Sequence, residues 1–170
     1  SGIETVQAFF DIATSEKVKE KYGQASVIVT TNTFAHMQKL GEFIMGAYNL
    51  LKDGGVFISE THYLLNAVEG GQFDTVYHEH LRTYSLKGLV TLFNQYDFTV
   101  TDVERGDRYG GNIRVHVTKG KGRAVSPAVE ALLKLEEESG LGKLETFEKF
   151  ANRVKAARLE FMEFLITAKK

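Results

Sequence analysis

The run Ala25–Thr31 (ASVIVTT) constrains the fold more than any other stretch of the chain. It is apolar and β-branched without the polar alternation of a half-buried strand, which is the pattern of a strand covered on both faces. A loop, Asn32–Met37, follows it. Leu40, Phe43, Ile44, Ala47, Leu50 and Leu51 then recur at helical spacing, and Lys52-Asp53-Gly54-Gly55 stops the helix. Val56–Ser59 reads as a second buried strand. A strand–helix–strand unit of this kind implies a parallel sheet with a right-handed crossover, so the chain is expected to be α/β.

The flanking segments extend this frame. Glu4–Phe10 reads as a short strand, and Ser15 as the cap of a helix running to Lys21. Thr61–Tyr84 shows no period and is rich in polar and aromatic residues. Ser85 is placed to cap an amphipathic helix reaching Tyr96. Phe98–Glu104 and Asn112–Thr118 alternate apolar and polar residues, as half-buried strands do, and their order predicts an antiparallel pair. Pro127 sits near the start of a helix ending at about Ser139, and a last helix is expected from about Leu144 to Ala168.

Composition narrows the function classes. Hydrophobic residues make up 43% of the chain, charged residues 25%, and the formal net charge is −1. That balance gives no electrostatic reason to expect nucleic acid or an anionic membrane as partner. The chain has no cysteine, which removes disulfides and thiolate metal sites and fits a cytoplasmic setting. No apolar run approaches the length of a membrane span, and no signal-peptide pattern opens the chain.

Three stretches carry candidate chemistry. In Asp74–Ser85 the residues Tyr77, His78, Glu79, His80 and Tyr84 fall together just before a helix. Histidine works as a base near neutral pH, a carboxylate beside it can fix its tautomer, and a tyrosine hydroxyl can donate to a developing oxyanion. These parts suit removal of a proton next to a carbonyl; a solvated polar turn explains the same residues. His78 and His80, two apart, would face one way on a strand and could bind a metal with a carboxylate. The second stretch is Thr30–His36, where Asn32, Thr33 and His36 follow the buried strand. Ligands in open α/β sheets bind at the carboxyl ends of strands, although a turn at Asn32 and a helix cap at His36 explain these residues better when they are taken alone. The third is Tyr109–Arg114: Gly110 and Gly111 permit close backbone approach, and Arg114 beside Asn112 could hold a phosphate or carboxylate, or all could form a plain hairpin turn. No G-x-G-x-x-G occurs.

Asn32-Thr33-Phe34-Ala35-His36, Asp74–His80 with Tyr84-Ser85, and Gly110–Arg114 stand in the order found in the SAM-dependent sugar C-methyltransferases, and nearly the whole chain resembles the middle of such an enzyme. The Tyr-x-Glu-His element is the most specific of these motifs. The resemblance implies a partial Rossmann-like class I methyltransferase sheet at residues 1–124, with a helical segment at 125–170 leading to a C-terminal domain. It implies S-adenosyl-L-methionine (SAM) as cofactor and a nucleotide-linked keto-sugar as substrate. His80 matches the base that removes the proton next to the keto group. Glu79, Tyr77 and His36 match its active-site neighbours, while His78, Tyr84, Gly110, Gly111, Asn112 and Arg114 match the substrate side. Phe10, Asp11, Asn32 and Thr33 match positions near the cofactor, with Asp11 placed for the adenine amine. His78 departs from the family's pattern as the resemblance draws it. The family's zinc cysteines and its glycine-rich SAM loop have no counterpart in these residues. The chain is therefore expected to be a fragment, inactive alone, binding SAM weakly and self-associating through the edge of its sheet. Two other readings stay open: a non-catalytic α/β module binding a nucleotide-sugar or a partner chain, and a histidine-dependent metal isomerase or epimerase.

Overall fold

The computed structural model describes residues 2–169. The expected divisions 1–124 and 125–170 begin and end on Ser1 and Lys170, which lie outside the described residues. The elements run α1 (Ile12–Tyr22), β1 (Ala25–Thr31), α2 (Leu40–Leu50), β2 (Leu51–His62), α3 (Leu64–Gly70), α4 (Leu86–Asn94), β3 (Phe98–Gly106), β4 (Asn112–Lys119), α5 (Pro127–Glu138) and α6 (Leu144–Ala168). The chain is α/β, as its patterning implies. The four strands form one sheet in the order β1-β2-β4-β3, with β1 and β2 parallel and β4 antiparallel to both β2 and β3.

The core lies on one face of this sheet. Phe57, Val100, Val103, Val115 and Val117 point toward Phe34, Phe43, Ile44, Leu89 and Phe93 from the helices and turns above. Burying a side chain of this size stabilises the fold by about 1.5–3 kcal/mol. In α4 the buried Leu86, Leu89 and Phe93 recur three and four apart, and the Ser85 hydroxyl accepts from the Gly88 N–H, so this helix forms and starts as its sequence dictates. α5 belongs to the same core through Val129 and Leu132. α6 buries no residue fully, and its second half leaves Phe161, Phe164 and Ile166 exposed. Among the described residues no helix is long and apolar enough to cross a membrane.

Four expectations are corrected. β1 is covered on one face only: Val27 is 53% and Val29 61% exposed, because the described helices pack over the face that carries Phe57 and the opposite face stays open. Glu4–Phe10 is not a strand, since it pairs with nothing in the sheet; Glu4 is held instead by Lys21 and Tyr22 of α1. α1 begins before Ser15. Asp11 is its N-cap, accepting from the Thr14 N–H at 2.7 Å, while Ser15 lies buried one turn inside and donates to the Ile12 carbonyl. Lastly, Thr61–Tyr84 contains α3, which stops at Gly71 in the left-handed conformation.

β2 runs three residues past its expected end at Ser59. Glu60, Thr61 and His62 pair with Arg114, Ile113 and Asn112 of β4, and this extension carries His62 toward the loops that follow β1 and α3.

Candidate active site

The carboxyl ends of β1 and β2 bring together residues from three segments. His36 ends a 3₁₀ turn just beyond β1, and His62 is the last residue of β2. Tyr77 and His80 lie in the bend between α3 and α4. The His80 ring centroid is 4.8 Å from His36, 4.9 Å from His62 and 4.1 Å from Tyr77. Tyr109 stands 6.4 Å from His62 on the other side.

Hydrogen bonds fix the protons of two of these imidazoles. His80 contacts the Thr75 carbonyl through Nδ1 at 2.8 Å, and His36 contacts the Glu79 carbonyl through Nδ1 at 2.9 Å. A carbonyl only accepts, so each Nδ1 carries the hydrogen, and in the neutral ring Nε2 holds the lone pair. The Tyr77 hydroxyl donates to that Nε2 of His80 at 3.0 Å. A backbone carbonyl thus leaves Nε2 of the neutral His80 ring as its acceptor atom. The Glu79 carboxylate does not take that part: it is exposed and lies 3.9 Å from His78 Nε2, while the Glu79 main chain holds His36. His62 makes no side-chain hydrogen bond to a described residue. Burial, followed by the neighbouring His80 and His36, holds it below the ordinary histidine range, so near neutral pH it is an uncharged imidazole.

The remaining candidates fall elsewhere. His78 is 89% exposed, and the stretch around it is a bend, so it does not face the same way as His80. Among the described residues no group of three or more His, Cys, Asp or Glu side chains is arranged to hold a metal ion. Tyr84 is a core residue, its ring 5.3 Å from Phe34 and its hydroxyl pushed up to about 12 chiefly by burial. Gly110 and Gly111 meet protein. Gln72 donates to the Gly110 carbonyl at 2.6 Å, and a Cβ at Gly111, where φ is +126°, would fall 2.4 Å from Asn66. Arg114 is already bound: Nε and one terminal nitrogen donate to Glu60, the other to Glu104. Asn112 donates to the same Glu60 at 3.1 Å, and Arg114 and Asn112 together hold that carboxyl below the usual range against the opposing effect of burial. Phe10 packs on Phe43 at 5.1 Å, and the Asp11 carboxylate is spent on capping α1, whose Thr14 N–H holds its pKa down. Thr33 donates back to the Thr31 carbonyl. Asn32 has φ +51°, and its side-chain oxygen is buried without a partner among the described residues, as are the hydroxyls of Thr30, Ser59 and Thr61.

His62 is the residue the sequence reading passed over. The rule that drew attention to Asn32 and His36, that ligands bind where parallel strands end, applies equally to the end of β2.

A parallel β-α-β unit with imidazoles gathered over its strand ends is the place where α/β folds bind ligands. Residues 2–103 match the methyltransferase domain family, and the chain belongs to that family. Residues 107–170 match the C-methyltransferase C-terminal domain family. The chain is 33% identical over 165 residues to the C-methyltransferase NovU of Streptomyces niveus; the match takes in 96% of this chain but only 39% of NovU. Among solved structures it is similar to an O-methyltransferase family protein from Burkholderia thailandensis, at 16% identity and a TM-score of 0.46, covering 70% of this chain and 36% of that one. It is also similar to a methyltransferase from Synechocystis, at 7% identity and a TM-score of 0.44, covering 57% of this chain and 46% of that one. At those scores the structural likeness adds nothing to the fold read from the chain itself.

Proposed function

We propose that this chain carries the base of a SAM-dependent C-methyltransferase that acts on the carbon next to the keto group of a nucleotide-linked deoxysugar. The observation that supports this best is His80, with Nδ1–H tied to the Thr75 carbonyl and Nε2 left as acceptor within a cluster of His36, His62 and Tyr77. A ring so fixed accepts a proton at one defined atom. For the base to work, the Tyr77 hydroxyl must leave Nε2. The sugar as substrate class rests on the motif order and on the likeness to NovU. SAM, when bound, supplies an electrophilic methyl group. The buried, unpartnered Asn32 oxygen at the end of β1 fits an amino group of such a ligand, and Asn32 is the residue that would hold it. Asp11 is proposed for the adenine amine only through the oxygen that does not cap α1.

In the full-length protein, His80→Asn is expected to lower kcat for methyl transfer to a nucleoside-diphosphate 4-keto-6-deoxyhexose by roughly 10²–10⁴-fold. SAM affinity should hardly move, because the ring acts on the sugar's proton. Turnover with labelled SAM and calorimetry check the two halves, and near-normal turnover in this variant would remove His80 from the role.

We also propose that residues 1–170 pair with a second copy of themselves through the free edge of β1. That strand ends the sheet order, and its sequence ASVIVTT has no charge and no proline to discourage pairing. Val27 and Val29 stand open beside it, and α6 buries nothing against it. Light scattering at micromolar concentration is expected to give a dimer mass, and Val29→Lys a monomer. A monomer mass for the unmodified chain would end the proposal.

A further inference from the structure

The geometry points to His62 as a catalytic residue that donates a hydrogen bond, from a neutral imidazole, to the substrate oxygen on which negative charge builds while His80 takes the adjacent carbon's proton. This rests on the proton abstraction next to a ketone proposed above. In that step the C–H bond breaks and the proton passes to His80 Nε2. The electron pair moves onto the carbonyl as an enolate, and the proton of His62 is shared with the oxygen but not lost.

Hydrogen-bond donors are scarce in this cluster. Enolate oxygen needs an N–H or O–H aimed at it. His36 and His80 both spend their Nδ1–H on backbone carbonyls, so while neutral each offers the site only a lone pair. The Tyr77 hydroxyl is engaged with His80 Nε2, the atom that is to take the proton, so it is not preset toward the oxygen. Among the clustered imidazoles His62 alone has both ring nitrogens uncommitted to described residues, and its ring lies 4.9 Å from that of His80. Its depressed pKa agrees with this part: a neutral ring keeps one N–H to donate and adds no positive charge to repel a proton arriving at His80. Backbone pairing with Asn112 and the rigid end of β2 place it without a loop to order.

The test is hydrogen exchange at the keto-sugar's acidic carbon in D₂O, followed by NMR with the full-length protein, a panel of nucleoside-diphosphate 4-keto-6-deoxyhexoses and no SAM. His62→Ala is expected to slow exchange by about 10²-fold with KM little changed, the size of effect seen on removing one oxyanion donor. His62→Gln keeps an N–H and should recover part of the rate, and added imidazole should rescue His62→Ala. If both variants match the unmodified protein, or are equally slow and unmoved by imidazole, the assignment of His62 fails while that of His80 stands. If the unmodified protein neither exchanges nor methylates any member of the panel, the proposed function falls first.

Discussion

Replacing Glu136 with alanine is expected to lower the stability of the chain by about 3 kcal/mol, since two buried donors and a part-buried one lose their acceptor at once. Glu136 is 4% exposed on α5. Its Oε1 accepts from the Tyr63 hydroxyl at 2.8 Å and from the Leu86 N–H at 2.5 Å, and its Oε2 from the Lys87 N–H at 3.0 Å. Leu86 and Lys87 open α4, so the carboxylate satisfies two of the N–H groups that a helix start leaves unpaired and sits at the positive end of its dipole. Burial, then the bond to Glu136, pushes the Tyr63 hydroxyl far above the usual tyrosine range, so it remains a donor at any working pH. Tyr63 follows His62, and Leu86 follows the segment that carries His80. The same carboxylate therefore joins the end of β2 to the end of the loop that carries His80. Chemical denaturation should show the loss in full for Glu136→Ala. Glu136→Gln keeps an acceptor oxygen and should lose about 1 kcal/mol. A loss under ~0.5 kcal/mol for alanine would mean that water replaces the carboxylate at all three donors.

What could be read in the sequence, and what could not, follows from how much each residue's local pattern depends on its neighbours in space. α2, α4, α5 and the β3–β4 pair were legible because a period of 3.6 or 2 is written over nine or more residues in most of them, with Ser85 and Pro127 as start signals. α3 has seven residues and no side-chain cap, too short for its Leu65 and Val68 to declare a period. The sequence of β1 states that it is apolar, but which of its faces finds a partner is a property of other elements. Tyr77 and His80 stood out because their residue types suit proton transfer, His36 only through the family resemblance, and the fold brings the three rings together. Tyr84, Gly111 and Arg114 are of equally suggestive types, yet packing on Phe34, clearance for Asn66 and pairing with Glu60 account for them. His62 was hidden by a strand end set three residues short.

Phe34→Ala should be the most damaging apolar substitution near the site, at about 3–5 kcal/mol. Phe34 is wholly buried in the 3₁₀ turn after β1, stacked on Phe93 at 5.7 Å and set against Phe57 at 6.0 Å, Phe43 at 6.1 Å and Tyr84 at 5.3 Å. It is thus the ring through which four other core rings touch the loop that carries His36. Alanine removes most of that side chain, and the rings around it, drawn from the sheet, α2 and α4, are too constrained to close the space. Phe34→Leu keeps apolar bulk and should cost less than half as much. The two variants also differ in what they do to the site. Loss of the ring frees the turn, and His36 should lose its Nδ1 bond to the Glu79 carbonyl, which ties the two site loops together across the cluster. Denaturant titration measures the first effect and the ¹⁵N shifts of the His36 ring the second. An alanine variant within ~1 kcal/mol of the parent, with the His36 ring signals unmoved, would show that the loop is held by its backbone and not by this ring.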